Sequence, residues 1–373
     1  MTMVTRSPRI SDSMEERDIS NDNEFQLPGI PKPLLQLSEK SMIGLKGALV
    51  SPRPVNLTEM GLEDGDAEDN LELARYPTTA MLKRTSIEPV NDKTPIVACD
   101  ASSVKVGETE TGMLFAIRAV AVWRRPEKTQ FKRWGPLLFH IPNTDGKADE
   151  RPDDGGPRAF GGLSVKTLRI LTRLRNHVER WVQESLCTTV KDGIILFDGS
   201  LTAGTPDNPA GRVSKILSTA RANNSVVVAL SKSTQLTVGG RNILAMYEEE
   251  KTANLLDITD VVEQEYPSYP IRFLGRVGVV KLSHDGFLFR VDIDKDTSEE
   301  QGLASLRRIA GNDVAFHGYP ESLRIAHIFS TFTSNEILAI QRFIATNHGI
   351  SLQTKPSLRR SLFGPFGTSR YVV

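Results

Sequence analysis

Cysteine is scarce: the 373 residues hold two, Cys99 and Cys187. So sparse a pair excludes a disulfide scaffold and predicts plain buried thiols in a reducing compartment. No Cys/His spacing of the zinc type occurs. No apolar run approaches the roughly 20 residues of a membrane span. The first residues, MTMVTRSPRISDSMEERD, lack the apolar core of a secretory signal. A cytoplasmic protein without a membrane role is the expectation. An excess of one charge is missing too, since 46 basic residues face 46 acidic ones. That balance excludes a histone-like polyanion binder but leaves room for a local basic groove. No G-x-x-x-x-G-K-[ST] loop is present, which argues against nucleotide hydrolysis by this chain.

What is there has a soluble, globular composition, long enough for one large domain or two ordinary ones. Residues 1–26 are polar and aperiodic and read as a disordered tail. Pro28, Pro31 and Pro33 then predict an extended lead-in. Leu34, Leu35, Leu37, Ile43, Leu45 and Leu49 are spaced for a helix or a partner-binding arm. Residues 59–72 pack seven acidic side chains into fourteen positions, the pattern of a solvated linker.

From about residue 94 the patterning becomes regular. PIVACD (95–100), MLFAIRAVAVW (113–123) and QFKRWGPLLFHI (130–141) read as strands joined by short connections, an antiparallel meander. A Gly/Pro-rich loop over 142–162 follows. Leu168, Leu171, Leu174, Val178, Val182 and Leu186 recur at three- and four-residue steps, predicting a helix over 164–186. GIILFD (193–198) and SVVVALSK (225–232) are continuous apolar runs, and a helix fits 211–222 between them. A helix between two such strands implies a right-handed parallel crossover. The expected fold is therefore α/β. Its core is a mixed sheet, three antiparallel strands then parallel βαβ units, flanked by helices in the strand order of the ribonuclease H-like fold. Toward the C-terminus, RVGVVKLS and FLFRVDI flank His-Asp-Gly as a hairpin, and helices follow. They are expected as a helical and hairpin extension of that core.

Two of the strands run into a carboxylate, Asp100 and Asp198. In this strand order the two lie at the same end of neighbouring parallel strands, where their carboxylates can converge. Converging anions raise one pKa or demand a cation. A divalent metal with oxygen ligands, Mg²⁺ or Mn²⁺, is one resolution and is the one nucleases use. Asp-Gly after a strand is also ordinary turn punctuation, and that plainer reading stays open. Glu179 lies beside the apolar stripe of its helix and can reach over the sheet end, with Glu184 as its competitor. Lys232 ends the last core strand, where it either contacts a phosphate or is simply solvated. His327 shares a helix face with Leu323 and Ser330, a position that suits a core residue as well as a ligand.

Taken in order, ACDASS, HVERW, LFDGSL, VVALSK and GYPESLRIAH resemble the motifs of the NurA nuclease family over about residues 94–335. Members of that family have a ribonuclease H-like core and are Mn²⁺-dependent nucleases of single-stranded and duplex DNA. They typically cut 5′ to 3′ in end resection, as toroidal dimers docked on a hexameric HerA-type ATPase. The resemblance implies two ions, Mn²⁺ or Mg²⁺, held by Asp100, Glu179, Asp198 and His327. It implies that His327 is a ligand or general acid/base, Tyr319 a positioning residue and Lys232 a phosphate contact. It implies DNA, a HerA-type helicase and a second copy of the chain as partners. The aromatic and basic residues of 123–134 suit DNA contact, through Arg124, Arg125, Lys132 and Arg133, although an exposed hairpin tip would look the same. The first motif departs from the family in reading Asp-Ala-Ser where Asp-Gly-Ser is usual, so a different turn after Asp100 is expected. The implied organisation is a tail over 1–33, an extension with an acidic linker over 34–90, a nuclease domain over 91–345 and a tail over 346–373. Two other readings remain: a different ribonuclease H-like nuclease, such as a resolvase or RNase, and a non-catalytic scaffold subunit of a motor ATPase.

Overall fold

The computed structural model describes residues 27–52, 83–125, 128–143, 165–205, 208–238, 241–247, 250–265, 271–314 and 316–352. The predicted polar tail 1–26, residues 353–373 of the predicted 346–373 tail, the acidic segment 59–72 and most of the 142–162 loop lie outside the described residues.

The elements follow in chain order. Helix α1 (Lys32–Met42) precedes strands β1 (Leu49–Pro52) and β2 (Lys83–Ser86). The meander is β3 (Ile96–Glu108), β4 (Gly112–Arg125) and β5 (Lys128–Pro142). Helix α2 (Val165–Thr189) leads to β6 (Ile194–Asp198) and β7 (Thr202–Ala203). Helix α3 (Ala210–Ala222) leads to β8 (Val226–Ser231). Two short strands, β9 (Thr237–Val238) and β10 (Arg241–Asn242), precede β11 (Asn254–Asp257), helix α4 (Thr259–Glu265) and β12 (Arg272–Phe273). The hairpin β13 (Gly275–Lys281) and β14 (Phe289–Asp294) is followed by α5 (Glu299–Asn312), α6 (Glu321–Ser330), α7 (Ser334–His348) and β15 (Ser351–Leu352).

The sheet is mixed, as the strand pattern predicts. β3, β4 and β5 are antiparallel neighbours, and β6 lies parallel to both β3 and β8. Two expectations change. The C-terminal hairpin is not an extension beside the core: β14 pairs with β8, so the order runs on through β14, β13, β11 and β2 in one 11-stranded sheet. And β3 does not end at Asp100. It runs eight residues further because β4 pairs with it from Ile96 to Glu108. Ala-Ser-Ser therefore stays extended, and no turn follows Asp100.

Side-chain parity sorts the core into two layers. Val97, Cys99, Ile195, Phe197, Val227 and Ala229 face one side and pack on the apolar stripes of α2 and α3. Ile96, Ala98, Ile194, Leu196, Val228 and Leu230 face the other side, under Leu306 and Ile309 of α5 and Leu323 and Ala326 of α6. Both cysteines are buried and unbridged. Among the described residues no helix is long and apolar enough to cross a membrane.

Candidate metal centre

Strand register brings the two aspartates together. Parallel pairing sets Ile96 opposite Ile194 and Cys99 opposite Phe197, so Asp100 and Asp198 stand in the next row. By parity both face the α6 side. β6 stops at Asp198, and the chain turns away at Gly199 with φ of 102°, a left-handed value that glycine adopts without strain. Gly199 N–H donates to the Leu230 carbonyl at 3.0 Å, which fixes the direction of that turn. The Gly after Asp198 thus lets the backbone leave while the carboxylate stays.

Helix α6 supplies the third member. His327 Nδ1 lies 3.1 Å from Asp100 Oδ2, and Ser330 Oγ donates to the same oxygen at 2.9 Å. Ser102, two residues along β3, holds the helix end by donating to the Ser330 carbonyl. At the other end of α6, the buried Asp313 carboxylate accepts from Ser322 N–H at 3.1 Å and pairs with Arg124 Nε at 3.3 Å. One ligand atom each from Asp100, Asp198 and His327 lies within 4.8 Å of the others. Lys232 Nζ is 2.9 Å from Asp198 Oδ2 and sits 5.7 Å from the Tyr319 ring centroid.

The charges here shift one another. Burial raises the Asp198 carboxyl, Lys232 opposes the rise, and the Asp100 charge adds to it; the net shift is upward. Burial also raises Asp100, but the His327 bond and charge and the Ser330 hydroxyl outweigh it and hold it below the usual carboxylate range. His327 is raised, chiefly by its bond to Asp100. Asp198 Oδ1 is buried and accepts no hydrogen bond among the described residues. A buried carboxylate oxygen without a donor is unfavourable unless a cation meets it. Two carboxylates and an imidazole fit Mn²⁺ well, because oxygen ligands suit Mg²⁺ and Mn²⁺ while imidazole tolerates transition ions.

Glu179 reaches the centre from the other side. It projects from α2, which covers the opposite face of the sheet from the two aspartates. It lines a cleft of about 210 Å³ together with Asp198, Arg175 and Gln183, and it lies outside the three-residue cluster. Gln183 Nε2 donates to its carboxylate at 2.9 Å. Burial, with Asp100 and Asp198 adding to it against Arg180 and Arg175, raises Glu179 to about 7. Its competitor Glu184 does not line this cleft.

The four basic candidates on the β4–β5 hairpin divide. Arg124 is committed to the fold through Asp313 and the Asn312 carbonyl, and Lys132 donates to the Leu27 carbonyl at 2.9 Å. Arg125 is exposed. Arg133 stands in line with the aspartates, since Asp100 pairs with Val120 and Val120 with Arg133. Two strand spacings put its backbone roughly 10 Å from that of Asp100. Its guanidinium lies 5.6 Å from the Phe131 ring and 5.8 Å from Phe329, two rings whose centroids are 4.4 Å apart.

Sequence reasoning missed the groups beneath the centre. Arg290 and Asp292 on β14 are fully buried, with Nε and Nη2 bonding the two carboxylate oxygens at 2.8 Å each. Asp292 Oδ2 also accepts from Leu201 N–H at 2.9 Å, and Arg290 Nη2 donates to Thr202 Oγ1 at 2.9 Å. The pair therefore clamps the loop that follows Asp198. The available signal was alternation within FRVDID: charged residues at every second position of a strand that becomes central. Ser330 was also legible, three residues after His327 on the same helix face.

The family model described as the NurA domain matches residues 94–329. Among solved structures, the NurA nuclease from Sulfolobus solfataricus is 15% identical, covering 71% of this chain and 86% of its own, with a TM-score of 0.48. A structure of NurA with manganese is 9% identical, covering 70% of this chain and 91% of its own, with a TM-score of 0.39. An endonuclease V from Streptomyces avermitilis is 11% identical over 66% of this chain and 84% of its own, at 0.31. A search of curated proteins finds no match.

Proposed function

The chain belongs to the NurA family, and from that premise we propose that it is a metal-dependent DNA nuclease with a ribonuclease H-like core. The single observation that carries the reading is the meeting of Asp100, Asp198 and His327 within 4.8 Å, with a buried Asp198 oxygen left without a donor among the described residues. Asp100, Asp198 and His327 would hold one divalent ion, and Glu179 with Asp198 would hold a second from the cleft side. Mn²⁺ fits this donor set best, with Mg²⁺ as the other candidate. Such an ion supplies an activated water and a Lewis acid for the phosphodiester.

The protein side of the reaction follows from the geometry. Asp100 orients the imidazole of His327 and can exchange a proton with it. Ser330 fixes the Asp100 oxygen that His327 faces. Lys232, beside Asp198, is placed to offset negative charge growing on the phosphoryl oxygens. Tyr319 bounds the position of that ammonium. Arg133, with Phe131 and Phe329, lies where a strand leaving the centre would run. Water attacks phosphorus, the phosphorus–oxygen bond to one sugar breaks, and that oxygen takes a proton. By family resemblance the substrate is single-stranded and duplex DNA, cut as a 5′–3′ exonuclease and single-strand endonuclease during end resection. By the same resemblance the chain works as a homodimer with a HerA-type hexameric ATPase. Purified protein is expected to digest linear DNA with Mn²⁺ or Mg²⁺ and to stop on addition of EDTA. Intact DNA with either ion would overturn the proposal.

Protons are linked to the metal. His327 must be neutral to bind a cation, and Asp100 raises its pKa above 6.5. Below that raised value, binding must expel a proton. Mn²⁺ affinity is therefore expected to weaken, by up to about tenfold per pH unit, as pH falls through and below that raised value. Calorimetry in buffers of different ionisation heat reads both the affinity and the protons released; an affinity independent of pH contradicts the linkage.

A further inference from the structure

Beside the centre, on the side away from Glu179, lies a second cavity of about 370 Å³. Its walls are rings: Phe287, Phe289, His317 and Tyr319, with Lys232 and Arg324 contributing the charge. We propose that this cavity is a nucleobase pocket, which receives one base of the DNA strand while the adjoining phosphate lies at the metal centre. The proposal rests on the nuclease reading above and adds a specific site to it.

The pocket is connected to the chemistry by one residue. Lys232 lines the cavity and is also 2.9 Å from Asp198 Oδ2. A ligand that fills the pocket and reaches Lys232 therefore lies within about one nucleotide of the carboxylates. Its chemistry must combine a flat apolar ring with an adjacent anion. A nucleobase carried on a phosphate does so, and the volume falls in the range of small-molecule pockets, roughly 300–1,000 Å³. Arg324 adds little, because Glu321 already binds it twice at 2.6 Å.

The outer wall is built at some conformational cost. Phe287 is 61% exposed, yet its ring packs against His317, tilted by 32° with centroids 4.9 Å apart. Phe287 N–H donates to the His317 carbonyl at 2.8 Å. His317 holds φ of 54°, a left-handed value that non-glycine residues rarely adopt. The two turns can meet because both present glycine. A Cβ on Gly286 would lie 2.9 Å from the His317 oxygen, and one on Gly318 would lie 3.1 Å from the Gly286 Cα. Exposed rings and a strained backbone held together beside a reactive centre fit a ligand shelf better than a core contact.

The test uses the full chain, in EDTA so that nothing is cut, with a single-stranded oligonucleotide carrying 2-aminopurine. Stacking quenches that fluorophore. The wild type is expected to quench it, whereas Phe287→Ala quenches it weakly with Tm unchanged, and Phe287→Trp restores quenching. In Mn²⁺, Phe287→Ala should raise KM for single strands about tenfold with kcat little changed, in keeping with the loss of one base–aromatic contact. Equal quenching and equal KM in wild type and Phe287→Ala would overturn the pocket while leaving the nuclease reading intact. A wild type that quenches but never cuts would overturn the nuclease reading instead.

Discussion

Asp198→Asn is expected to abolish DNA cleavage and to leave the protein as stable as before, or more so. The loss should be at least about 10³-fold, because a cation's several kcal/mol of transition-state stabilisation disappears with its central ligand. Stability moves the other way for an electrostatic reason. Burial and the neighbouring Asp100 push the Asp198 carboxyl up, so its ionised form is held in place against a local penalty. A neutral amide of the same shape removes the repulsion. Lys232, 45% exposed, loses an ion pair but keeps its access to solvent. Activity assays with melting curves read both halves of the prediction. A variant that cuts DNA at a tenth of the wild-type rate would count against the site, and so would one that loses activity only because it unfolds.

Asp292→Ala is expected to cost stability as well as activity. Arg290 has side-chain exposure of 2%, and its bidentate partner is Asp292. Truncating the partner strands a buried guanidinium, which typically costs about 3–5 kcal/mol. For a fold of this size that lowers Tm by roughly 5–10 °C. The Leu201 amide loses its acceptor in the same step, so the loop after Asp198 loosens and cleavage falls as well. The double variant Arg290→Met/Asp292→Leu separates the two effects. An apolar pair of similar volume should recover most of the stability without restoring the loop's anchor. Recovery of full activity along with stability would mean that the ion pair only supports the fold.

How much of this was legible in the sequence depends on how local the cause is. The run IILFD followed by Gly announced both a strand and the residue that lets the chain leave it, and α2 followed from its apolar stripe. Asp100 was found for an incomplete reason. The strand was expected to stop there, whereas antiparallel pairing with β4 carries it on to Glu108. The aspartates converge because β6 ends, not because β3 does. Glu179 was expected beside the stripe of α2, but a helical wheel does not say which face of the sheet the helix covers. Only the assembled layers show that Glu179 and the two aspartates approach from opposite sides. The least legible part was β14. Its placement next to β8 is a long-range pairing, and only that pairing turns Arg290 and Asp292 from a solvated alternation into a buried clamp.

The central claim is that Asp100, Asp198 and His327 form one metal site. Anomalous diffraction at the manganese edge, from crystals of the full chain grown with Mn²⁺, tests it most directly. A peak shared by Asp100 and Asp198, with His327 as its nitrogen ligand, is expected, and it should vanish in Asp198→Asn. Manganese found only at positions that touch neither Asp100 nor Asp198, or none at saturating Mn²⁺ with Lys232 still paired to Asp198, would contradict it.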